Sequence, residues 1–133
     1  MSNILHVEDD TLTSTLVTNL PHKMKCEVTT ATSVADALIK IKYSKFDLVI
    51  IERHLPDGDG LDIVDLITER EELRTTGIIV TSSINNASNV TESFKKGADD
   101  YLPKPFNDDE FLFRIKATLR RVKYQYGIDN SST

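Results

Sequence analysis

The sequence has one cysteine, no tryptophan, and only 5 glycines and 4 prolines in 133 residues. A single thiol, Cys26, excludes an internal disulfide and suits a reducing, cytoplasmic setting. Aromatic residues are scarce at 7%, yet 39% hydrophobic and 28% charged residues make an ordinary globular balance. No apolar run approaches the about 20 residues that a membrane span needs, so no membrane contact is expected. The opening Met1-Ser2-Asn3 lacks the basic-then-apolar pattern of a signal peptide. At this length the chain is read as one domain with a real core, without room for a second.

An excess of positive charge is also missing. The formal net charge is −5, so nothing marks the whole chain as a nucleic-acid binder. The charge is uneven, however. Residues 111–133 carry Arg114, Lys116, Arg120, Arg121 and Lys123 against Asp129 alone, a net +4, which leaves −9 for the first 110. Such blocks mark either a functional face with a separate contact surface or merely solvated helix faces. The basic helix end has no DNA-reading motif beside it.

Short apolar runs alternate with helical periodicity. Ile4-Leu5-His6-Val7 reads as a strand, followed by Leu12, Leu16 and Leu20 at i, i+4 spacing in a helix closed by Pro21. A more polar strand covers residues 26–31. Ser33 caps a helix whose inward face is Val34, Leu38 and Ile41. Leu48-Val49-Ile50-Ile51 is the strongest strand and ends at Glu52. Turn residues Pro56 to Gly60 precede a helix carrying Ile63, Val64 and Ile67. Ile78-Ile79-Val80 is a fourth strand. Val90 and Phe94 indicate a fourth helix ending at Gly97, and Tyr101-Leu102 a brief fifth strand. Asn107 and Glu110 open the last helix, whose apolar stripe is Leu112, Ile115, Leu119 and Val122.

Five strands alternating with five helices predict an α/β fold, a doubly wound parallel sheet of flavodoxin-like order 2-1-3-4-5. The runs at Ile4, Leu48 and Ile78 belong in its middle, and the second and fifth runs at its edges. In that order the ligand site lies beyond the carboxyl ends of the central strands. Those ends hold Glu8-Asp9-Asp10, Glu52 with Arg53-His54, Thr81-Ser82-Ser83, and Lys104-Pro105. Carboxylates suit Mg²⁺, and a hydroxyl with an ammonium opposite suits phosphoryl oxygens. Singly, each acid is most simply a cap for the next helix.

Three stretches together carry a resemblance: residues 4–10, residues 47–60 with Leu55-Pro56-Asp57-Gly58-Asp59-Gly60, and residues 97–106 with Lys104-Pro105-Phe106. Over residues 1–124 the chain resembles a response-regulator receiver domain (CheY-like), most closely the OmpR/PhoB subgroup, with 125–133 as a tail or linker start. The resemblance implies that Glu8 and Asp9 match the acidic pair holding Mg²⁺, with Glu52 and the backbone carbonyl of His54 completing the metal set. It implies Ser82 as the switch hydroxyl, with Thr81 the alternative at a one-residue shift. Tyr101 matches the rotating aromatic, Lys104 the site lysine, and Pro105 a cis proline. It implies a sensor histidine kinase as partner, and DNA contact only through an output domain that this chain lacks. Asp99, Asp100, Glu110 and Arg114 match the charge pairs of a homodimer face built by the fourth helix, fifth strand and fifth helix. The basic residue expected on the fourth helix falls at Val90.

One position departs from the family. Its phospho-accepting aspartate falls on Glu52, and the added methylene moves the carboxylate about 1 Å, a displacement able to cost on the order of 10²-fold in transfer. Glu52 is therefore a partial mimic of the phosphorylated state, the mark of a phosphorylation-independent interaction module, or a replacement of an original aspartate. A small Mg²⁺-dependent phosphatase or phosphotransferase is the enzymatic alternative. It needs a nucleophilic aspartate and a capping element, so no enzyme is expected. Among the remaining residues, His6 is read as a hydrogen-bonded core histidine and Arg53 as a solvated charge, with partnering of Glu52 or its neighbours the alternative. His54 is read as a loop residue, and Asp57 as lining the acidic crevice with Glu8, Asp9, Asp10 and Glu52. Asp57 and Asp59 are otherwise read as turn formers rather than rescue acceptors.

Overall fold

The structure, a computed structural model, describes residues 1–127. Residues 128–133 and the side chains of Leu12 and Leu16 lie outside the described residues, and with them two members of the first helical stripe and most of the tail. The chain runs β1 (Ser2–Val7), α1 (Thr11–Thr18), β2 (Cys26–Ala31), α2 (Val34–Tyr43) and β3 (Leu48–Glu52). A two-residue ladder follows, β4 (His54–Leu55) with β5 (Gly58–Asp59). The chain continues through α3 (Leu61–Glu69), β6 (Gly77–Ser82), α4 (Ala87–Lys96), β7 (Asp100–Pro103) and α5 (Asp108–Tyr126).

The main sheet is parallel, in the order β2-β1-β3-β6-β7. With the small ladder set aside, that is the expected 2-1-3-4-5. The two polar or short strands lie at the edges, where only one neighbour must be satisfied. Alternation along each central strand feeds two layers. Leu5, Val7, Val49, Ile51, Ile78 and Val80 face Ala37 and Ile41 of α2 and Ile63, Val64 and Ile67 of α3. Ile4, Leu48, Ile50, Ile79 and Leu102 face Val17 of α1 and Phe111, Ile115 and Leu119 of α5. Burial on both sides explains why the central strands read as unbroken apolar runs.

Side-chain caps set the helix starts. Asp10 accepts from Thr13 N at 3.2 Å, Ser33 from Asp36 N at 3.1 Å, Asn86 from Asn89 N at 2.8 Å and Asn107 from Glu110 N at 2.7 Å. Two expectations need correction. The first helix ends at Thr18, and Leu20 is buried in a separate 3₁₀ turn opened by Leu20-Pro21, because proline suits a first turn but not a helix interior. In α5, Phe111 is buried and stacks on Phe106 at 4.6 Å between ring centroids, while Leu112 is only partly buried. Phe94 of α4 is 46% exposed; the face α4 buries is Asn89 and Ser93, which a search for apolar periodicity passes over.

Gly60 shows how tightly α3 docks beneath the site. Its amide donates to the Arg53 carbonyl at 2.7 Å. A Cβ there would lie 2.3 Å from the Glu52 carbonyl oxygen and 2.7 Å from Ile51 Cγ2. Backbone and a buried strand residue have no room to yield. Gly60→Ala is expected to cost about 3 kcal/mol, at the upper end for overpacking, measured by urea unfolding. A loss below about 0.5 kcal/mol, the range of an inert surface exchange, would contradict this close approach.

Candidate functional site

β1, β3, β6 and the turn after β7 bring Glu8, Glu52, Ser82 and Lys104 to one end of the sheet. Strand pairing holds them: Glu8 N donates to Ala31 O at 2.9 Å, Arg53 N to Thr81 O at 2.9 Å and Lys104 N to Ser82 O at 2.9 Å. The Lys104–Pro105 peptide is cis. The Lys104 ammonium then lies between two buried carboxylates, paired with Glu8 Oε1 and, at 3.3 Å, with Glu52 Oε1. The other Glu52 oxygen accepts from the Arg53 amide at 2.7 Å. Both oxygens of Glu52 are thus engaged.

The electrostatics follow from burial. Glu8 is 2% exposed, and desolvation raises its pKa above the ordinary carboxylate value against the pull of Lys104. Burial works to lower the Lys104 pKa, but the hydrogen bond to Glu8 and the charges of Glu52 and Glu8 outweigh it, so the net shift is upward and the ammonium stays charged. A buried carboxylate pair without that cation would carry a large desolvation penalty. Lys104 is the counter-charge of the site.

The remaining residues divide. Asp9 is exposed at the mouth. Asp10 caps α1 and also accepts from the Thr13 hydroxyl at 2.7 Å. Ser82 is fully buried, and its hydroxyl accepts from Ile84 N at 3.0 Å; no hydrogen bond joins it to Glu52 among the described residues. Thr81 is fully buried, with its hydroxyl unpartnered among the described residues. Tyr101 is buried, its hydroxyl donating to the Ile84 carbonyl at 2.7 Å. His54 is exposed on the β4–β5 ladder. Asp57, expected to line the crevice, instead accepts from Val34 N at 2.8 Å and Ala35 N at 3.0 Å. Those amides hold its carboxyl below the ordinary value. It closes the start of α2 rather than facing Glu52.

Arg53 is corrected from a solvated charge to a buried one. Its guanidinium is buried and meets Asp59 through Nε and Nη2 at 3.3 Å each, Glu92 through Nη2, and Asn89 Oδ1 through Nη1 at 2.6 Å. These partners are 6, 36 and 39 residues away, so no local pattern announces them. His6 is also corrected: it is fully buried, and neither ring nitrogen has a hydrogen-bond partner among the described residues.

Carboxylate and carbonyl oxygens suit a hard divalent cation in kind. In this arrangement Lys104 stands between Glu8 and Glu52, and no group of three His, Cys, Asp or Glu residues able to hold a metal ion occurs among the described residues. A cation here must therefore compete with the ammonium. No helix among the described residues is long and apolar enough to cross a membrane.

Five parallel strands with two acids, a hydroxyl and a lysine at their carboxyl ends define a class that comparison with known proteins makes specific. Residues 4–116 match the family described as the response regulator receiver domain. The chain belongs to that family and is a receiver domain of the two-component kind. It is 34% identical over 122 residues to the transcriptional regulatory protein KdpE of Staphylococcus aureus, covering 92% of this chain and 52% of that one. It is 32% identical over 120 residues to the cell cycle transcriptional regulator CtrA of Caulobacter vibrioides, covering 90% and 51%. The chain thus spans about half the length of these curated relatives. Among solved structures, the BeF3-activated DrrB receiver domain superposes with a TM-score of 0.80 at 30% identity, covering 91% of this chain and 99% of that one. DrrB is an OmpR/PhoB homologue from Thermotoga maritima. A CheY-like receiver from Methanospirillum hungatei gives 0.85 at 26% identity, covering 94% and 98%.

Proposed function

We propose that this receiver signals without an acyl phosphate, because Glu52 stands at the phospho-acceptor position and is already committed. The observation that carries the reading is the double engagement of its carboxylate, on Lys104 Nζ at 3.3 Å and on Arg53 N at 2.7 Å. Glu52 brings one negative charge to the site lysine, where a phosphoryl group brings nearly two, so mimicry of the activated state is partial. The lack of a bond to Ser82 among the described residues agrees with that partial character. The protein acts as a cytoplasmic signalling module rather than an enzyme. Its partner is a sensor histidine kinase or another signalling protein, and DNA is reached only through an output domain. Weak Mg²⁺ binding through Glu8, Asp9, Glu52 and the His54 carbonyl would require the Lys104 ammonium to give way between Glu8 and Glu52. A bound cation would supply charge neutralisation for an incoming phosphoryl oxygen. The test is intact-mass analysis after incubation with acetyl phosphate and Mg²⁺, with no phosphoryl adduct expected; an adduct on Glu52 overturns the reading.

The face of α4, β7 and α5 is the proposed homodimer surface. Arg114 pairs with Asp100 at 3.1 Å and Glu110 at 3.8 Å, and Arg121 with Asp99 at 3.8 Å, so both signs lie side by side. Such pairs can exchange across a two-fold axis. Sedimentation equilibrium at high micromolar concentration is expected to show a reversible dimer, and a monomer there would count against it.

A further inference from the structure

The residue after Glu52 is wired to the aromatic of the signalling face. Arg53 Nη1 donates to Asn89 Oδ1 at 2.6 Å. Asn89 Nδ2 in turn donates to the Ile84 carbonyl at 2.6 Å and to the Tyr101 hydroxyl oxygen at 2.6 Å. Tyr101 Oη donates onward to the Ile84 carbonyl at 2.7 Å. Arg53, Asn89 and Tyr101 are all buried.

The direction of this chain is set by chemistry. A guanidinium has only donors, so whichever end of the Asn89 amide faces it must be the oxygen. That choice turns the two amide hydrogens away from Arg53, one towards the Ile84 carbonyl and one towards Tyr101. The tyrosine oxygen, receiving a hydrogen from Asn89, then turns its own to the Ile84 carbonyl at 2.7 Å, the nearer of two acceptors, with Asn85 Oδ1 at 3.2 Å. Asp59 holds two guanidinium nitrogens at 3.3 Å each and Glu92 adds a second carboxylate, so the fork cannot turn away from Asn89. A buried amide with a missing partner is costly, which makes each member depend on the others.

The geometry points to Arg53 as a positioning residue: through Asn89 it holds Tyr101 inward, and so sets the α4–β7–α5 face, without any group bound at Glu52. This deepens the reading above and rests on it for the role of that face. The linkage itself runs along side chains that Glu52 does not touch. A phosphoryl adduct on Glu52 would therefore sink the earlier reading and leave this one standing.

The test reads the tyrosine rings by NMR in the presence of a soluble paramagnet. In the wild-type chain Tyr43 and Tyr124, exposed by 75% and 89%, should broaden while Tyr101, exposed by 6%, stays sharp. Arg53→Ala and Asn89→Ala should each raise Tyr101 broadening several-fold, towards the level of Tyr124, with helix content by circular dichroism unchanged. Arg53→Lys should behave like Arg53→Ala, since an ammonium cannot span Asp59 and Asn89 as the planar fork does. The double variant should add nothing to either single one, the signature of one shared pathway. Should Arg53→Ala fail to fold, Asn89→Ala and Arg53→Lys carry the test. Continued protection of Tyr101 in Asn89→Ala or Arg53→Lys, or additive effects in the double variant, overturns the inference.

Discussion

Glu52→Asp is expected to take up one phosphoryl group from acetyl phosphate with Mg²⁺, where the wild-type chain takes up none. The reason is reach. In Glu52 the last carbon bond lets one carboxylate oxygen close on the Arg53 amide at 2.7 Å while the other leans on Lys104. Removing that methylene withdraws the carboxylate from the Arg53 amide and frees an oxygen for in-line attack on phosphorus, with acetate as the leaving group. An error of about 1 Å in a reacting atom costs on the order of 10²-fold, so a gain of at least that size is the expected signal. Glu8 and Lys104 are untouched by the change, and the Lys104 ammonium remains as the counter-charge for an incoming phosphoryl oxygen. Intact mass and acid-lability of the adduct read the outcome. If Glu52→Asp stays unmodified under conditions that label other receivers, the site is not a phosphoryl site awaiting its aspartate, and the interpretation of Glu52 falls with it.

The second large effect concerns stability and pH. His6 is fully buried, with both ring nitrogens unpartnered among the described residues, between β2 and β3 where Thr30 and Ile50 are its register neighbours. Burial, and secondarily the Lys104 charge, lower its pKa from 6.5 to about 3. Below pH 6.5 the unfolded chain takes up a proton that the native chain refuses, so this contribution is intact above that pH and is lost as acid is added. At pH 5 the loss is about 2 kcal/mol, at about 1.4 kcal/mol per pKa unit. Glu8 works in the opposite sense, since its raised pKa lets the native chain take a proton before the unfolded one does. His6→Val removes the unpartnered nitrogens and places a β-branched side chain in a strand. It should stabilise by about 1–2 kcal/mol at pH 7, and by about 2 kcal/mol more at pH 5. Comparing the two chains at each pH cancels Glu8. Urea midpoints from pH 5 to pH 8 check it: a stability difference that does not grow on acidification would show that His6 accepts a proton in the fold.

Much of the architecture was legible because parallel strands buried on both faces leave an unmistakable trace. Leu48 to Ile51 and Ile78 to Val80 have no polar interruption, and helical spacing follows each. The caps at Ser33 and Asn107 were readable for the same local reason, an acceptor side chain three residues before the amide it serves. The buried residues of α4 left no apolar trace because Asn89 and Ser93 are polar; Asn89 serves Arg53 and Tyr101, and Ser93 donates to the Asn89 carbonyl one turn back. Asp57 was misplaced because its partners are the amides of α2, more than 20 residues earlier. In α1, proline marked an end correctly but two residues late, since a 3₁₀ turn intervenes.

By itself, the sequence determined the family, the strand order and the set of groups at the sheet's carboxyl end. Hydrophobic period and turn chemistry are local properties, and strand ends converge once the order is known. Only the tertiary structure decided who partners whom within that set. Hydrogen bonds and ion pairs depend on distance in space, and burial makes the choice of partner expensive to get wrong. Lys104 therefore goes to Glu8 and Glu52 together, Arg53 keeps its amide on Glu52 but sends its guanidinium to Asp59, Glu92 and Asn89, and His6 is left with none among the described residues.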